Sequence, residues 1–342
     1  MTSARLLRAI AENPIVIVLI ILFLVFYAVA DGFSDPRNIS NIFLQTSMLG
    51  LVAIGMSFVI LTGGIDLSVG SVVALSTILV AGIANSYPPI LGINVALLAG
   101  VAVGLINGFL VAYIGLQPII VTISSMAMVR GLGMWLSDSR PIFGTLPDEY
   151  FMLVSATVLG VPLPVCIFLF VVLASLWFLH LTRTGRHIYQ VGGNEEAALL
   201  AGIDVRRTKL LAYTLCGFLS AVAGLLLTAR IQSGDAVRTG LGWELDAIAA
   251  AAVGGLSLMG GRGHLIGTVC GVLFIGMLSN AFNLLGINPY WQRMVVGAVL
   301  ALAVVVYGDP VRRRLAAGLR QPVDRRAQPG EPGAISGTEE RG

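Results

Sequence analysis

Long apolar runs separated by short polar segments occupy most of the chain between residues 15 and 307. A helix needs about 20 apolar residues to cross the hydrocarbon core of a bilayer. By this measure the pattern predicts ten membrane-spanning helices. The expected ranges are 15–30, 43–62, 67–86, 91–114, 118–137, 162–180, 210–229, 242–259, 265–285 and 291–307. The charged residues within them include Arg130, Glu244 and Asp246.

Composition supports this interpretation. The chain of 342 residues is 56% hydrophobic and only 11% charged, whereas soluble proteins carry about 25% charged residues. So few polar side chains would not cover the surface of a soluble protein. We therefore expect an all-α polytopic membrane protein with about ten transmembrane helices, some of them broken or re-entrant, and a short cytoplasmic helix.

Basic residues set the expected orientation. They cluster at 5–8, at 183–209 and at 312–326, and positive residues flank spans on the cytoplasmic side. Six predicted spans separate the first two clusters and four separate the last two, so all three clusters fall on one side. Both termini are therefore expected in the cytoplasm.

The predicted domain division follows from these spans. We expect a cytoplasmic N-terminus at 1–14, one membrane domain at 15–308, and a cytoplasmic tail at 309–342. The tail is rich in proline, glycine and charge, which is typical of disorder. The first span also has the layout of a signal peptide, with a possible cleavage site at 28–30. An uncleaved helix is favoured because nine more spans follow.

A glycine pair interrupts the longest apolar stretch. Residues 43–86 would form a helix of about 66 Å, twice the roughly 30 Å hydrocarbon core. A break is therefore predicted at Gly63-Gly64, and Asp66 or Ser68 is then placed to cap the next helix. Broken helices of this kind build polar sites at membrane depth in transporters. A tight cytoplasmic turn with an ordinary cap is the alternative.

Three charges in apolar surroundings have two interpretations each. Glu244 and Asp246 lie near the start of a predicted span, where they are either functional or simply stabilise the helix N-terminus. Arg130 lies within the fifth predicted span and needs a carboxylate, a carbonyl or water as partner. It either pairs with an acidic residue such as Asp66 or extends to an interface.

A compact helix is predicted between the sixth and seventh spans, on the cytoplasmic side. Asn194 is the expected N-cap, Glu195 and Glu196 occupy the favourable first turn, Ala197 continues the helix, and Gly202 ends it. This position suits the docking of a soluble partner. A surface helix without a partner is the alternative.

Several function classes are excluded or disfavoured. The only lysine, Lys209, does not lie in a Gly-x-x-x-x-Gly-Lys-Ser/Thr pattern, so the chain has no conventional P-loop of its own. No nucleophile–His–acid set stands out, and the basic residues are dispersed, which argues against lipid chemistry and nucleic-acid binding. The cysteines are isolated in apolar stretches, so neither a disulfide nor a metal site is expected. They are Cys166, Cys216 and Cys270.

The segment Gly63-Gly64-Ile65-Asp66-Leu67-Ser68-Val69-Gly70-Ser71 resembles the signature of the ribose-type ABC sugar permeases, the membrane subunits of bacterial carbohydrate importers. Segments 192–195, 244–249 and 283–286 resemble the same family, so the likeness extends from about 37 to 308. Residues 196–202 also fit the Glu-Ala-Ala-x-x-x-Gly pattern of ABC coupling segments, although the following Ile-x-Leu-Pro is absent.

The resemblance implies a subunit in the bacterial inner membrane that binds no cofactor itself. A cytoplasmic ATPase would bind ATP and dock on the coupling segment at about 193–203. A sugar-binding protein outside the cytoplasm would deliver the substrate, and a second permease, identical or paralogous, would complete the path. Pentoses, hexoses, deoxysugars and polyols all fit this resemblance.

Polar residues in or near the predicted spans are the candidates for the substrate path. They are Thr62, Asp66, Ser68, Asn280 and Asn283. We assign Arg130, Glu244 and Asp246 as structural or gating charges. The alternative function is an ion-coupled secondary transporter of a small polar solute, in which Asp66, Glu244 or Asp246 would carry the coupling ion.

Overall fold

The computed structural model describes residues 14–143 and 146–307. The helices are α1 (Pro14–Val29), α2 (Pro36–Leu61), α3 (Val69–Ala84), α4 (Pro89–Ala112), α5 (Pro118–Leu136), α6 (Asp148–Ser155), α7 (Leu163–Leu181), α8 (Arg183–Gly193), α9 (Glu195–Leu200), α10 (Val205–Ile231), α11 (Trp243–Val253), α12 (Leu265–Leu284) and α13 (Pro289–Tyr307). Four short strands are β1 (Ile142–Phe143), β2 (Thr157–Val158), β3 (Val161–Pro162) and β4 (Ser233–Gly234). Strand β1 pairs antiparallel with β4, and β2 pairs antiparallel with β3. The predicted N-terminal segment before residue 14 and the predicted tail at 309–342 lie outside the described residues.

The polytopic all-α prediction is confirmed. Within the described residues, six helices are long and apolar enough to cross a membrane, namely α2, α4, α5, α7, α10 and α12. Helices α1 and α3 are shorter apolar helices. Helix α2 lies at the centre of the bundle and is buried from Thr46 to its end, whereas α1, α4 and α5 expose much of their apolar surface. Such an outer surface is suited to lipid.

Helix α10 packs closely against α4 along a stripe of small residues. Gly100, Gly104 and Gly108 of α4 face the backbone of α10, and a Cβ atom on Gly104 would collide with the Tyr213 carbonyl. In α10, Gly217 meets Gly100 in the same way. Close approach through small residues is the usual way in which membrane helices gain van der Waals contact.

The predicted break at the glycine pair is confirmed. Helix α2 ends at Leu61, and Gly63 adopts a φ of +82°, which a residue with a side chain would adopt only with strain. Helix α3 begins at Val69. The turn 62–68 therefore separates two buried helices, as the length of the apolar stretch requires.

The predicted span 242–259 is only partly helical. Helix α11 has 11 residues, or about 16 Å at 1.5 Å per residue. It ends where Gly255 adopts a φ of +84°. Before it, the segment 232–242 runs beside α3, with Gly234 against Thr77 and Gly240 against Gly70. Helix α11 thus begins inside the bundle, beside the first turn of α3.

Two ends of the bundle can be told apart by their extra elements. One end carries α8 and α9, and we call it the α8–α9 end. The other carries α6 and the short strands. At the α8–α9 end, three successive helices begin at side-chain N-caps: Thr182, Asn194 and Asp204 accept hydrogen bonds from backbone N–H groups. The sequence predicted α9 and its Asn194 cap but not α8.

Candidate functional site

Asp66 lies at the centre of a buried polar network. Its side chain is 1% exposed, and its Oδ1 accepts hydrogen bonds from the backbone N–H of Ser68 at 2.9 Å and from the Ser68 hydroxyl at 2.6 Å. The Asn107 amide of α4 donates to the Ser68 oxygen at 3.0 Å, and Ser125 of α5 donates to Asn107. The network therefore ties the turn 62–68 to α4 and α5.

The same turn contacts α10 through its backbone. The Tyr213 hydroxyl donates to the Ile65 carbonyl at 3.5 Å, and a side chain on Gly64 would meet that hydroxyl. The thiol of Cys216 also lies beside the Asp66 carboxyl group. Side chains from α4, α5 and α10 thus surround Asp66, and the Asp66 side chain stabilises its own turn rather than capping α3.

Thr62 and Ser68 are buried with Asp66. The Thr62 hydroxyl, in a residue that is 4% exposed, donates to the Val59 carbonyl at 2.8 Å, and Ser68 is 1% exposed. The structure brings these three predicted path residues together, inside a single chain. Their assignment to a substrate path stays a prediction.

The two predicted asparagines of α12 have different surroundings. Asn280 is 6% exposed and exchanges two hydrogen bonds with Asn38 of α2, at 2.8 and 2.9 Å. Asn283 is exposed, one turn further along the helix. The first links two helices, whereas the second is free to contact other molecules.

Arg130 does not pair with Asp66. Its Nη1 donates to the carbonyl oxygens of Ala236 at 2.8 Å and Thr239 at 3.1 Å. These carbonyls belong to the irregular segment 232–242, which lacks helical hydrogen bonds of its own. Glu244 lies close enough to Arg130 to interact electrostatically. Arg130 therefore secures the segment that leads into α11.

Glu244 and Asp246 lie in the first turn of α11, as predicted, but they face different neighbours. The Glu244 carboxylate lies against Gly70 of α3, on the side of Arg130. Asp246 faces α13 across a cavity of about 310 Å³ that Arg293 also lines. Glu244 thus makes a structural contact, whereas Asp246 faces an open cavity.

The predicted coupling segment is a rigidly held helix with an apolar tip. The carboxylate of Glu195 in α9 forms an ion pair with the Nζ atom of Lys209 in α10, at 2.6 Å. Ala198 is buried, whereas Leu199 is 65% exposed and Leu200 is 88% exposed. Two adjacent exposed leucines on a fixed helix form a surface that a partner can bury.

The remaining predicted coupling residues lie at the surface around these leucines. Glu196 and Ala197 are exposed, and Gly202 adopts a φ of +78° where the chain leaves the helix. A glycine in this conformation is the usual helix terminator.

A close backbone junction joins this segment to the helices of the bundle. The N–H of Gly261 donates to the Leu61 carbonyl at 3.0 Å. Gly192, at the end of α8, lies against the same carbonyl so closely that no side chain would fit. The Tyr189 hydroxyl donates to the Gly263 carbonyl at 3.3 Å. The end of α8, the end of α2 and the α11–α12 loop therefore meet at one point.

This architecture matches a known family over most of its length. A family model described as "Branched-chain amino acid transport system / permease component" matches residues 38–304. The chain belongs to this permease family. The match includes the turn 62–68, the α8–α9 segment and α11.

Curated relatives resemble the permease over nearly their whole length. The ribose import permease protein of Bacillus subtilis is 44% identical over 291 residues, which are 84% of this chain and 90% of the relative. That of Haemophilus influenzae is 43% identical over 302 residues, or 87% and 93%. The D-allose transport system permease protein of Escherichia coli is 38% identical over 279 residues, or 81% and 85%. No solved structure matches the chain.

Sequence reasoning missed three polar residues that the permease places near the candidate sites. Asn107 and Ser125 complete the Asp66 network, and no sequence motif marks them. Arg293 faces Asp246, and it had a usable signal, since it is a charged residue inside the predicted span 291–307.

Proposed function

We propose that this permease forms the translocation path for a monosaccharide in an ATP-binding cassette importer, and that a separate subunit hydrolyses the ATP. The relatives support the substrate class, because ribose, allose and arabinose permeases all align with most of this chain. The missing P-loop supports ATP hydrolysis by a separate subunit. Neutral sugars also suit a bundle with few internal charges.

The expected topology is part of this proposal. Ten crossings would be made by α1 to α5, α7 and α10 to α13, with the segment 232–242 and α11 together forming one crossing. The α8–α9 end would then face the cytoplasm, and α6 would face outwards. The arginines and the lysine near α8 and α10 favour this orientation by the positive-inside rule.

The observation that carries the ATPase partner is the exposed tip of α9. Leu199 and Leu200 are exposed on a helix that is held at its N-terminal end by its Asn194 cap and by the Glu195–Lys209 ion pair. Buried apolar anchors surrounded by polar residues are the usual centre of a protein interface. A groove in a cytoplasmic ATPase would receive these leucines.

Other partners follow from the same function. A sugar-binding protein would dock at the α6 end, and a second copy or a paralogue would enclose the path with this chain.

An ion-coupled mechanism through Asp66 is disfavoured, because the Asp66 carboxyl group is engaged inside a closed network.

Co-purification tests the docking surface. The permease would be expressed with its candidate ATPase, as wild type and with Leu200→Glu or Glu196→Arg. Both side chains are exposed and neither supports the fold, so the variants should fold and lose the ATPase. The control is Asp148→Arg, an exposed charge reversal at the α6 end, which should retain it. Retention of the ATPase by all variants would contradict the proposed docking site.

A further inference from the structure

A cavity between α11 and α13 has the chemistry of a sugar site. Its volume is about 310 Å³, at the lower end of the roughly 300–1,000 Å³ typical of small-molecule pockets. One wall is the first turn of α11, and the other is the first half of α13. Apolar residues make up most of the lining, and three polar side chains and one indole converge on it. These are Trp243, Asp246, Gln292 and Arg293.

The α13 wall is one continuous helical face. Gln292, Arg293, Val296 and Leu300 all line the cavity, and their spacing of three and four residues places them on the same side of the helix. Arg293 is exposed and Gln292 is half-buried. The polar pair lies toward the beginning of α13, and aliphatic side chains continue the wall beyond it.

The two charges face each other without closing the cavity. Arg293 is near enough to influence Asp246 electrostatically. In the part of the chain that the structure describes, however, no salt bridge or hydrogen bond joins their side chains. Charged groups inside membrane proteins are costly unless they meet a partner, water or a ligand. The space between this acid and this base can therefore hold a molecule that bonds to both.

We propose that this cavity binds one neutral monosaccharide during its passage, with Asp246, Gln292 and Arg293 bonding to hydroxyl groups and Trp243 packing against the apolar face of the sugar ring. The inference rests on the proposed function and adds a location to it. None of the predicted path residues lines this cavity; Asp246 was assigned only as a structural or gating charge.

The donor and acceptor set fits hydroxyl groups. Each hydroxyl can both donate and accept. Asp246 only accepts, Arg293 only donates, and the Gln292 amide does both, so adjacent hydroxyls can be bound in either sense. Hydrogen bonds to charged groups are also the stronger ones. An amino-acid zwitterion is the competing ligand for such an acid–base pair, and the experiment includes it.

The first test measures uptake by the complete importer in proteoliposomes. Arg293→Gln and Asp246→Asn should each reduce ATP-driven D-ribose uptake about tenfold, because each removes a charged hydrogen-bonding group. Met294→Leu, an exposed residue outside the cavity on the same helix, should retain wild-type uptake. A double exchange, Asp246→Arg with Arg293→Asp, restores a purely structural ion pair but not a ligand site. Recovery of uptake in the double exchange would overturn the proposal.

The second test measures chemical protection in the same proteoliposomes. In a variant whose native cysteines are replaced, Gln292→Cys should react with a charged methanethiosulfonate reagent. D-ribose, supplied on its binding protein with ATP, should slow that reaction about fivefold, since a filled pocket excludes the reagent. Tyr290→Cys, exposed on the same helix outside the cavity, should react at an unchanged rate.

The outcomes separate the two hypotheses. Absence of D-ribose uptake in the wild type, with uptake of leucine instead, contradicts the proposed function. Wild-type D-ribose uptake without protection of Gln292→Cys, or with no reaction at that cysteine at all, contradicts the sugar site alone. Protection by leucine rather than D-ribose would assign the cavity to a zwitterion.

Discussion

Arg130 supplies hydrogen bonds that the backbone of segment 232–242 does not obtain from a helix. Its guanidinium group donates to the carbonyls of Ala236 and Thr239. Irregular backbone is tolerated inside a membrane protein only where neighbouring groups satisfy it. The arginine is therefore the residue that allows α11 to begin inside the bundle.

Replacement of Arg130 with methionine tests this role. The variant keeps an unbranched apolar side chain but leaves two carbonyl oxygens without their donor, and we expect it to lower the free energy of unfolding by about 1–3 kcal/mol. Thermal unfolding in lipid nanodiscs measures the change. Arg140→Met, an exposed arginine beyond α5, is the matched control. Equal stability of both variants would show that the Arg130 bonds contribute little.

At the residue scale, the sequence predicted the kind of group that a polar residue contacts better than it predicted the contacting residue itself. The sequence required a carboxylate, a carbonyl or water for Arg130 and left the choice open, because a one-dimensional pattern does not show which loop folds back. The Asp66 network is a stronger example. Its partners Asn107 and Ser125 lie 41 and 59 positions beyond Asp66, and only the packing of α4 and α5 brings them close.

At the element scale, the close contact between α4 and α10 depends on glycines, which have no side chain to separate the two helices. Gly104→Ala would place a methyl group against the Tyr213 carbonyl. Overpacking of this kind costs about 1–3 kcal/mol, so we expect a lower yield of folded protein and a lower unfolding temperature. Gly131→Ala in α5 is the matched control, since a Cβ there meets nothing within 4 Å. A stable Gly104→Ala variant would mean that the helices can separate without penalty.

Helix positions were predictable because apolar length is a strong constraint. Helices α1 to α5, α7, α10, α12 and α13 each fill most of the predicted range in their part of the chain. Helix α11 is the exception, since its apolar run predicted 18 residues at 242–259 and only 11 are helical. Hydropathy does not distinguish a helical residue from an extended one in apolar surroundings. Helix α11 ends at Val253 because glycines follow it.

At the scale of the whole molecule, the junction of α8, α2 and the α11–α12 loop connects the proposed docking helix to the proposed sugar cavity. Gly192 and Gly261 both contact the Leu61 carbonyl. Helix α11 leads from that loop to Asp246. A displacement of α9 would therefore reach α11 through backbone contacts, which are less compressible than flexible side chains.

Gly192→Ala tests this connection. The added methyl group would collide with the Leu61 carbonyl, whereas a methyl group on the adjacent Gly193 meets nothing within 4 Å. We expect Gly192→Ala to be less stable than the wild type, as Gly104→Ala is. Its folded fraction should bind the ATPase but transport at least about tenfold more slowly per ATP hydrolysed, since about 1.4 kcal/mol changes a rate tenfold. Gly193→Ala should match the wild type. Unchanged transport in Gly192→Ala would exclude the junction as a coupling point.

The candidate site illustrates the limit of sequence reasoning at this scale. Helix α9 was predictable, because its cap, its acidic first turn and its terminal glycine are local. The cavity between α11 and α13 was not, because it needs two helices about 45 residues apart to face each other. Arg293 was the available clue.

Uptake in proteoliposomes that contain the permease, its ATPase and its binding protein tests the central claim most directly. The account predicts accumulation of D-ribose that requires ATP, stops when the ATPase cannot hydrolyse it, and is unaffected by an imposed proton or sodium gradient. Accumulation driven by such a gradient without ATP or the ATPase would contradict the account and favour an ion-coupled transporter.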